Sequence, residues 1–96
     1  MREHAKRVAT LMRQLANENR LLILCALLEG PKTVSELGRL VPDISAPALS
    51  QHLHKLRDAQ LICSEKQAQY IRYSIEDERL HSLIELLRRD YCTESE

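Results

Sequence analysis

The stretch SAPALSQHLHKLR, residues 45–57, has the apolar spacing of a single amphipathic helix. Leu49, Leu53 and Leu56 recur at i, i+4 and i+7, so they form one apolar stripe along such a helix. Ser45 is a suitable N-cap because its hydroxyl can accept a hydrogen bond from the first helical turn. We therefore predict a helix that buries its leucines and exposes its opposite face.

The exposed face of this predicted helix carries small residues, amides and imidazoles, with few acids. A helix that lies in the major groove of DNA needs a close approach and side chains that both donate and accept hydrogen bonds. An ordinary amphipathic helix with a solvated face shows a similar pattern. The neighbouring segments have to distinguish the two interpretations.

A second, shorter helix is predicted immediately upstream. Thr33 to Glu36 fit a capping box, and the sequence Val41-Pro42 ends the helix that the box begins. A short helix, a tight break and a second helix with a polar outer face form a helix-turn-helix. This arrangement favours DNA binding over a merely solvated helix.

From Leu61 onward the apolar period changes to that of a strand. Ile71, Tyr73 and Ile75 alternate with polar residues, and residues 61–65 supply a partner strand through the connection 66–69. A two-stranded hairpin after a helix-turn-helix is a wing. The residues predicted to contact DNA, on the second helix and the wing, are Ser45, Pro47, Ala48, Ser50, Gln51, His52, His54, Lys55 and Lys66.

Helices are also predicted at both ends of the chain. Residues 4–16 form an amphipathic helix, residues 18–29 a core helix that is apolar nearly all round, and a last helix begins between Ser74 and Asp77. The first and last helices keep apolar faces that fill one monomer's core or, as we expect, form the seam of a homodimer. The expected fold is mainly α, with about five helices, a two-stranded wing and a single winged helix-turn-helix domain over residues 1–96.

Composition narrows the class of function. The sequence has no Gly-rich phosphate loop and no nucleophile with a base and an orienting group, so we expect neither an enzyme nor a cofactor. No apolar run approaches the length of a membrane span, and we expect a cytoplasmic protein without membrane contact. The formal net charge of zero favours a different class, a winged helix that binds other proteins and not DNA.

The order helix, helix, helix-turn-helix, wing and helix, with LSQHL at residues 49–53, resembles the ArsR/SmtB family of dimeric winged-helix transcriptional repressors. The resemblance covers almost the whole chain and includes LANENRL at residues 15–21 and LRDAQLI at residues 56–62. It implies a homodimer that binds palindromic double-stranded operator DNA. The break at residues 40–45 is a residue longer than the usual turn, which leaves the contacts to individual bases open.

Many members of this family sense metals, and their sites are not matched here. Arsenic, cadmium and lead sensors carry Cys-x-Cys at the start of the third helix, where Thr33–Ser35 offers no thiolate for a soft metal. Zinc sensors carry Asp-x-His and His-x-x-Glu on the last helix, and Asp77, His81 and Glu85 do not match that spacing. We expect no metal site, with a metal- or metalloid-responsive repressor as the alternative.

Cys25 and Cys92 stand where the dithiol branch of the family carries two cysteines of one subunit. The resemblance implies a switch for persulfides, other reactive sulfur species or oxidants, in which the two thiols close a disulfide or polysulfide link and lower operator affinity. Alternatively, Cys25 is a small buried hydrophobe and Cys92 an incidental thiol. Cys63 has no partner in this pattern and is expected to be structural. The native inducer stays open among persulfide, peroxide and soft metalloid.

Overall fold

The computed structural model describes residues 1–91, which form five helices and three strands. In chain order the elements are α1 (Arg2–Leu15), α2 (Glu18–Leu27), β1 (Lys32–Thr33), α3 (Val34–Leu40), α4 (Ala46–Asp58), β2 (Cys63–Gln67), β3 (Tyr70–Ser74) and α5 (Glu78–Tyr91). The predicted winged helix-turn-helix is confirmed. Within the described residues, no helix combines the length and apolar character needed to cross a bilayer.

Helix α2 lies at the centre of the core, in agreement with its nearly continuous apolar sequence. Ile23, Leu24 and Leu27 are buried, and α2 packs against each of the other described helices. The side chain of Asn17 caps its first turn by accepting a hydrogen bond from the backbone N–H of Arg20. The position of every other helix is therefore set in part by contact with α2.

The wing differs from the prediction in the length of its turn. Only Ala68 and Gln69 connect β2 to β3, so Lys66 lies within β2 and not in the connecting loop. Ala68 adopts a φ of 57°, a left-handed conformation that allows a two-residue hairpin turn. Because glycine is the usual residue at such a position, the absence of glycine from residues 66–69 hid the tight turn.

The sheet also has a third strand that was not predicted. In the described chain, Lys32 pairs with Tyr73 and Thr33 with Arg72, which places β1 antiparallel to β3 in the order β1-β3-β2. Two residues are too few to show an alternating pattern. The extra strand attaches the wing to the start of α3, because β1 runs directly into that helix.

Helix α1 and one side of α5 keep apolar surface that the described chain does not cover. Residues 2–10 are exposed, and Val8 and Met12 are 51% and 50% exposed. On α5, Ile84 is buried while Leu86 is 43% exposed. The seam of a homodimer through the first and last helices stays a prediction, and these two faces are the surfaces it would use.

The capping box of α3 supplies a test of this local structure. The Thr33 hydroxyl accepts a hydrogen bond from the Glu36 N–H at 3.2 Å, and the Glu36 carboxylate accepts one from the Thr33 N–H at 2.8 Å. Thr33→Ala should lower the free energy of unfolding by about 1 kcal/mol, measured by urea denaturation at fixed protein concentration. Ser35→Ala, at an exposed position in the same turn, is the control and should not destabilise the protein. Equal midpoints for Thr33→Ala and wild type would contradict the assignment.

Candidate nucleic-acid interface

Two buried side chains fix the turn between α3 and α4. Val41 and Ile44 are each 6% exposed, and the Ile44 N–H donates to the Val41 carbonyl at 3.1 Å. Pro42 and Asp43, between them, are exposed. A turn of this length is therefore compatible with full packing of α4, because its apolar residues point into the core while its polar ones remain in solvent.

Helix α4 begins with a side-chain cap and presents its leucine stripe to the core. The Ser45 hydroxyl accepts a hydrogen bond from the Ala48 N–H at 3.2 Å. Leu49, Leu53 and Leu56 are 1% exposed or less. The hydroxyl of Ser45, one of the predicted DNA contacts, thus also stabilises the start of the helix.

The face opposite the leucines carries most of the residues predicted to contact DNA. Two of the predicted residues on α4, Ala48 and His52, are half-buried, and Ala48 packs against the core. The predicted residues that are exposed at the start and along the outer face of α4 are Ser45, Pro47, Ser50, Gln51, His54 and Lys55. These exposed residues define what we call the recognition face.

His52 differs from the other predicted contacts because its ring is turned partly into the protein. Its Nδ1 atom is buried and has no hydrogen-bond partner among the described residues. Burial lowers the pKa of His52, and the positive charges of Arg20 and Lys55 lower that pKa further. The imidazole is therefore neutral at neutral pH.

The wing extends the polar surface beyond α4. Lys66 on β2 is exposed, and Tyr70 and Ile71 at the start of β3 are 58% and 44% exposed. A cation and an aromatic ring close to a hairpin tip are side chains that can contact a phosphate and a groove wall. The structure thus places Lys66 on the wing, separate in the fold from the recognition face.

A polar network that sequence reasoning missed joins the wing to α3. The Arg72 Nε donates to the Gln67 amide oxygen at 2.8 Å, and Arg72 Nη1 lies 3.5 Å from the Glu36 carboxylate. The hydrogen bond from the Thr33 N–H, followed by the charge of Arg72, holds the pKa of Glu36 below its usual value. Because Glu36 and Arg72 are far apart in sequence, only the capping role of Glu36 could be predicted.

Cys25 lies half-buried on α2 at the edge of a surface cavity of about 240 Å³. Arg88 of α5 also lines this cavity, together with residues of α2 and the end of α3. The predicted partner of Cys25, Cys92, lies outside the described residues. In the sequence it follows Arg88 by four positions.

Cys63 takes part in a different contact at the base of the wing. Its sulfur lies 3.2 Å from the hydroxyl oxygen of Ser74 and 3.7 Å from the Ser74 carbonyl oxygen. Cys63 and Ser74 are also paired across β2 and β3. This position agrees with the structural role that was expected for Cys63.

The residues considered for a metal site are not gathered together. Within residues 1–91, no group of three or more His, Cys, Asp or Glu side chains is arranged to hold a metal ion. Asp77 instead accepts a hydrogen bond from the Arg79 N–H at 2.8 Å and pairs with its guanidinium at 3.1 Å. Those contacts hold the pKa of Asp77 below its usual value.

The sequence matches a known family of regulators. The family described as "Bacterial regulatory protein, arsR family" matches residues 17–64, from the cap of α2 into β2. The HTH-type transcriptional regulator YgaV of Escherichia coli (strain K12) is 43% identical over 89 residues, which cover 92% of this chain and 89% of YgaV.

Solved structures support the same assignment. Reduced HlyU from Vibrio cholerae N16961 is similar with a TM-score of 0.88 at 39% identity, covering 97% of each chain. The transcriptional repressor BigR from Xylella fastidiosa is similar with a TM-score of 0.86 at 30% identity, covering 98% of this chain and 95% of BigR. Regulators of the arsR family bind operator DNA and function as dimers. The chain belongs to the arsR family of bacterial regulatory proteins and is a DNA-binding transcriptional regulator, not an enzyme.

Proposed function

We propose that this chain is a transcriptional repressor whose affinity for a palindromic operator is controlled by a thiol switch between Cys25 and Cys92. Persulfides, other reactive sulfur species or oxidants are the proposed inducers. The observation that carries the switch is the cavity beside Cys25, because Arg88 of α5 lies on its wall. Cys25 of α2 and Arg88 of α5 thus line the same cavity, and Cys92 follows the end of α5 in the sequence.

The recognition face supplies the proposed contacts to DNA. Gln51 is exposed near the middle of α4, and a glutamine amide can bond an adenine edge in the major groove. Lys55, one turn later, and Lys66 on the wing are exposed cations that suit phosphates. Phosphate contacts supply much of the affinity of such proteins for any sequence. Loss of a lysine should therefore lower affinity for all duplexes, whereas loss of Gln51 should lower specificity.

The exposed apolar faces of α1 and α5 are the proposed seam between subunits. In a symmetric dimer each face meets its counterpart, so Val8 and Met12 of α1 would be removed from water. A two-fold arrangement also presents two copies of α4, which suits half-sites about 34 Å apart. Changes in the angle between subunits would then change the spacing of the recognition helices.

The proposed chemistry is two successive sulfur transfers. The Cys92 thiolate attacks the outer sulfur of glutathione persulfide, which forms a Cys92 persulfide and releases glutathione thiolate. The Cys25 thiolate then attacks Sγ of Cys92 itself, so that the bond from Sγ to the outer sulfur breaks, the Cys25–Cys92 disulfide forms and hydrosulfide leaves. The two protein thiols are oxidised, and the sulfane sulfur is reduced to sulfide. We place Cys92 first because Arg88 and Arg89 precede it by four and three positions in the sequence, and nearby arginines lower the pKa of a thiol.

The link would act on DNA binding through α2. A Cys25–Cys92 bond joins the last helix to α2, and α2 packs directly against α4. Because packed helices move as rigid bodies, a shift at the bond is carried to the recognition face.

Two substitutions separate base recognition from phosphate binding. Gln51→Ala should lose discrimination between an operator selected from random duplexes and an unrelated duplex of equal length. Lys55→Ala should weaken binding to both duplexes alike and reduce the slope of log affinity against log salt by about one. Fluorescence anisotropy across a salt series measures both effects. If both variants bind like wild type at every salt concentration, α4 is not the helix that reads DNA.

A charge in the proposed seam should separate the subunits. Met12→Glu should sediment as a monomer at concentrations where wild type is a dimer, because the carboxylate would be buried without a partner. Thr10→Glu, on another side of α1, adds the same charge at an exposed position and should remain dimeric. Analytical ultracentrifugation distinguishes the species, and a dimeric Met12→Glu protein would contradict the proposed seam.

The thiol switch predicts a specific pattern among three serine variants. Glutathione persulfide should convert the reduced wild-type dimer into a form with an intrasubunit Cys25–Cys92 link and weaken operator binding by about 1–3 kcal/mol. Cys25→Ser and Cys92→Ser should bind the operator but fail to respond. Cys63→Ser should respond as wild type does.

Peptide mass spectrometry of the linked protein, combined with anisotropy on the same variants, makes this measurement. Release of DNA from Cys25→Ser or Cys92→Ser after persulfide treatment would overturn the mechanism. A trapped link that runs through Cys63 would do the same.

A further inference from the structure

Two buried nitrogen atoms on neighbouring helices have no hydrogen-bond partner among the described residues. They are Nε of Arg20, in the first turn of α2, and Nδ1 of His52, near the middle of α4. Leaving such an atom buried and unpaired costs free energy, and buried polar groups in folded proteins are nearly always paired. Each of the two atoms is therefore expected to have a hydrogen-bonding partner.

The two atoms have complementary hydrogen-bonding character. The Nε of arginine always carries a hydrogen and only donates, whereas Nδ1 of a neutral imidazole accepts when the hydrogen is on Nε2. Burial, and then the charge of Arg20, lowers the pKa of His52, which favours the neutral ring. The two helices that carry these atoms, α2 and α4, pack against each other. A donor on α2 thus stands near an acceptor on α4.

The far end of the Arg20 side chain is already held by α1. Its Nη1 donates to the Gln14 carbonyl oxygen at 3.3 Å and to the Gln14 side-chain oxygen at 3.0 Å. The backbone N–H of Arg20 donates to the Asn17 cap. Because these contacts restrict the guanidinium, Nε keeps a defined direction. Little further side-chain entropy of Arg20 would therefore be lost when Nε makes a contact toward α4.

We propose that one buried water molecule bridges Arg20 Nε–H and His52 Nδ1, accepting from the first and donating to the second, and that this bridge sets the rotation of α4 about its own axis. His52 is then a positioning residue for the recognition face and not a contact to DNA. The inference rests on the proposed function only in taking α4 as the helix that reads DNA.

A directional bond at His52 would fix the rotation of α4 about its axis. The leucine stripe seats α4, but apolar burial is non-directional and tolerates small rolls of the helix. His52 lies beside the stripe, adjacent in sequence to Leu53, so a bond there selects one rotation. A roll of α4 would move Gln51 and Lys55 relative to the bases, because both project from its opposite side.

The response to pH separates this role from a phosphate contact. The charged groups that act on His52 in the described chain are Arg20 on α2 and Lys55 on α4. If His52 accepts in the bridge to Arg20, protonation removes the acceptor and adds a second positive charge, so operator affinity falls as the pH decreases through the lowered pKa of His52. If His52 binds a phosphate, protonation strengthens the contact and operator affinity rises over the same range.

Nitrogen NMR of the imidazole tests the bond in the DNA-free protein. Wild type should show the tautomer with hydrogen on Nε2 and a hydrogen-bonded, unprotonated Nδ1. Arg20→Lys keeps the charge but places a methylene where Arg20 has Nε, so it should lose this tautomer preference and raise the pKa of His52. A ring with hydrogen on Nδ1, or an unchanged ring in Arg20→Lys with an otherwise native amide spectrum, overturns the proposal.

Operator binding tests the positioning role with matched variants. His52→Asn keeps an acceptor at the position of Nδ1 and should bind the operator nearly as wild type does, without the dependence on pH. His52→Leu should lose about threefold to thirtyfold in operator affinity while its binding to unrelated duplex is unchanged. Ala59→Leu, at the exposed C-cap of α4 and outside the recognition face, is the control for an added leucine and should bind the operator as wild type does.

The outcomes distinguish this inference from the proposed function. Equal losses in His52→Asn and His52→Leu, or a rise in wild-type affinity at low pH that His52→Asn removes, would identify a DNA contact and overturn the positioning role. Failure of wild type to bind any selected duplex would overturn the proposed function, while the NMR measurement would still decide the Arg20–His52 bridge.

Discussion

Burial of the leucine stripe of α4 is the constraint on which the rest of the structure depends. Leu49, Leu53 and Leu56 are almost fully removed from water, and burial of one leucine contributes about 1.5–3 kcal/mol. A small domain has a total stability of only about 5–15 kcal/mol, so α4 cannot turn its leucines outward without unfolding the domain. The polar face must therefore point into solvent, where a duplex can meet it.

Helix α2 lies on the inner side of α4 and connects the separate parts of the protein. As the central apolar helix it contacts α4, and it also carries Cys25 and Arg20 at positions near its surface. Cys25 lies beside the cavity that Arg88 lines, whereas Arg20 carries the buried Nε that is proposed to reach His52 of α4. One helix thus links the site of the proposed sulfur chemistry to the helix proposed to read DNA.

The features that could be predicted from the sequence are those with a local pattern. Periodic leucines, the Asn17 cap and the Thr33–Glu36 capping box each lie within a few residues, so five helices and the helix-turn-helix were predicted correctly. The strand β1 and the Arg72–Glu36 contact join distant parts of the chain and have no local signature. The orientation of His52 was missed for the same reason, because its neighbour Arg20 lies on another helix. The pairing of Cys25 with Cys92 came from the family resemblance and remains a proposal.

The central claim is that closing the Cys25–Cys92 link releases the operator. Its most direct measurement is a titration of the operator-bound wild-type dimer with glutathione persulfide, in which each sample is divided between mass spectrometry and anisotropy. The account predicts that the fraction of DNA released rises in step with the fraction of chains that carry the Cys25–Cys92 disulfide. Mass spectrometry detects this disulfide as the loss of two hydrogens. Release of DNA before that link forms, or complete linking with the operator still bound, would contradict it.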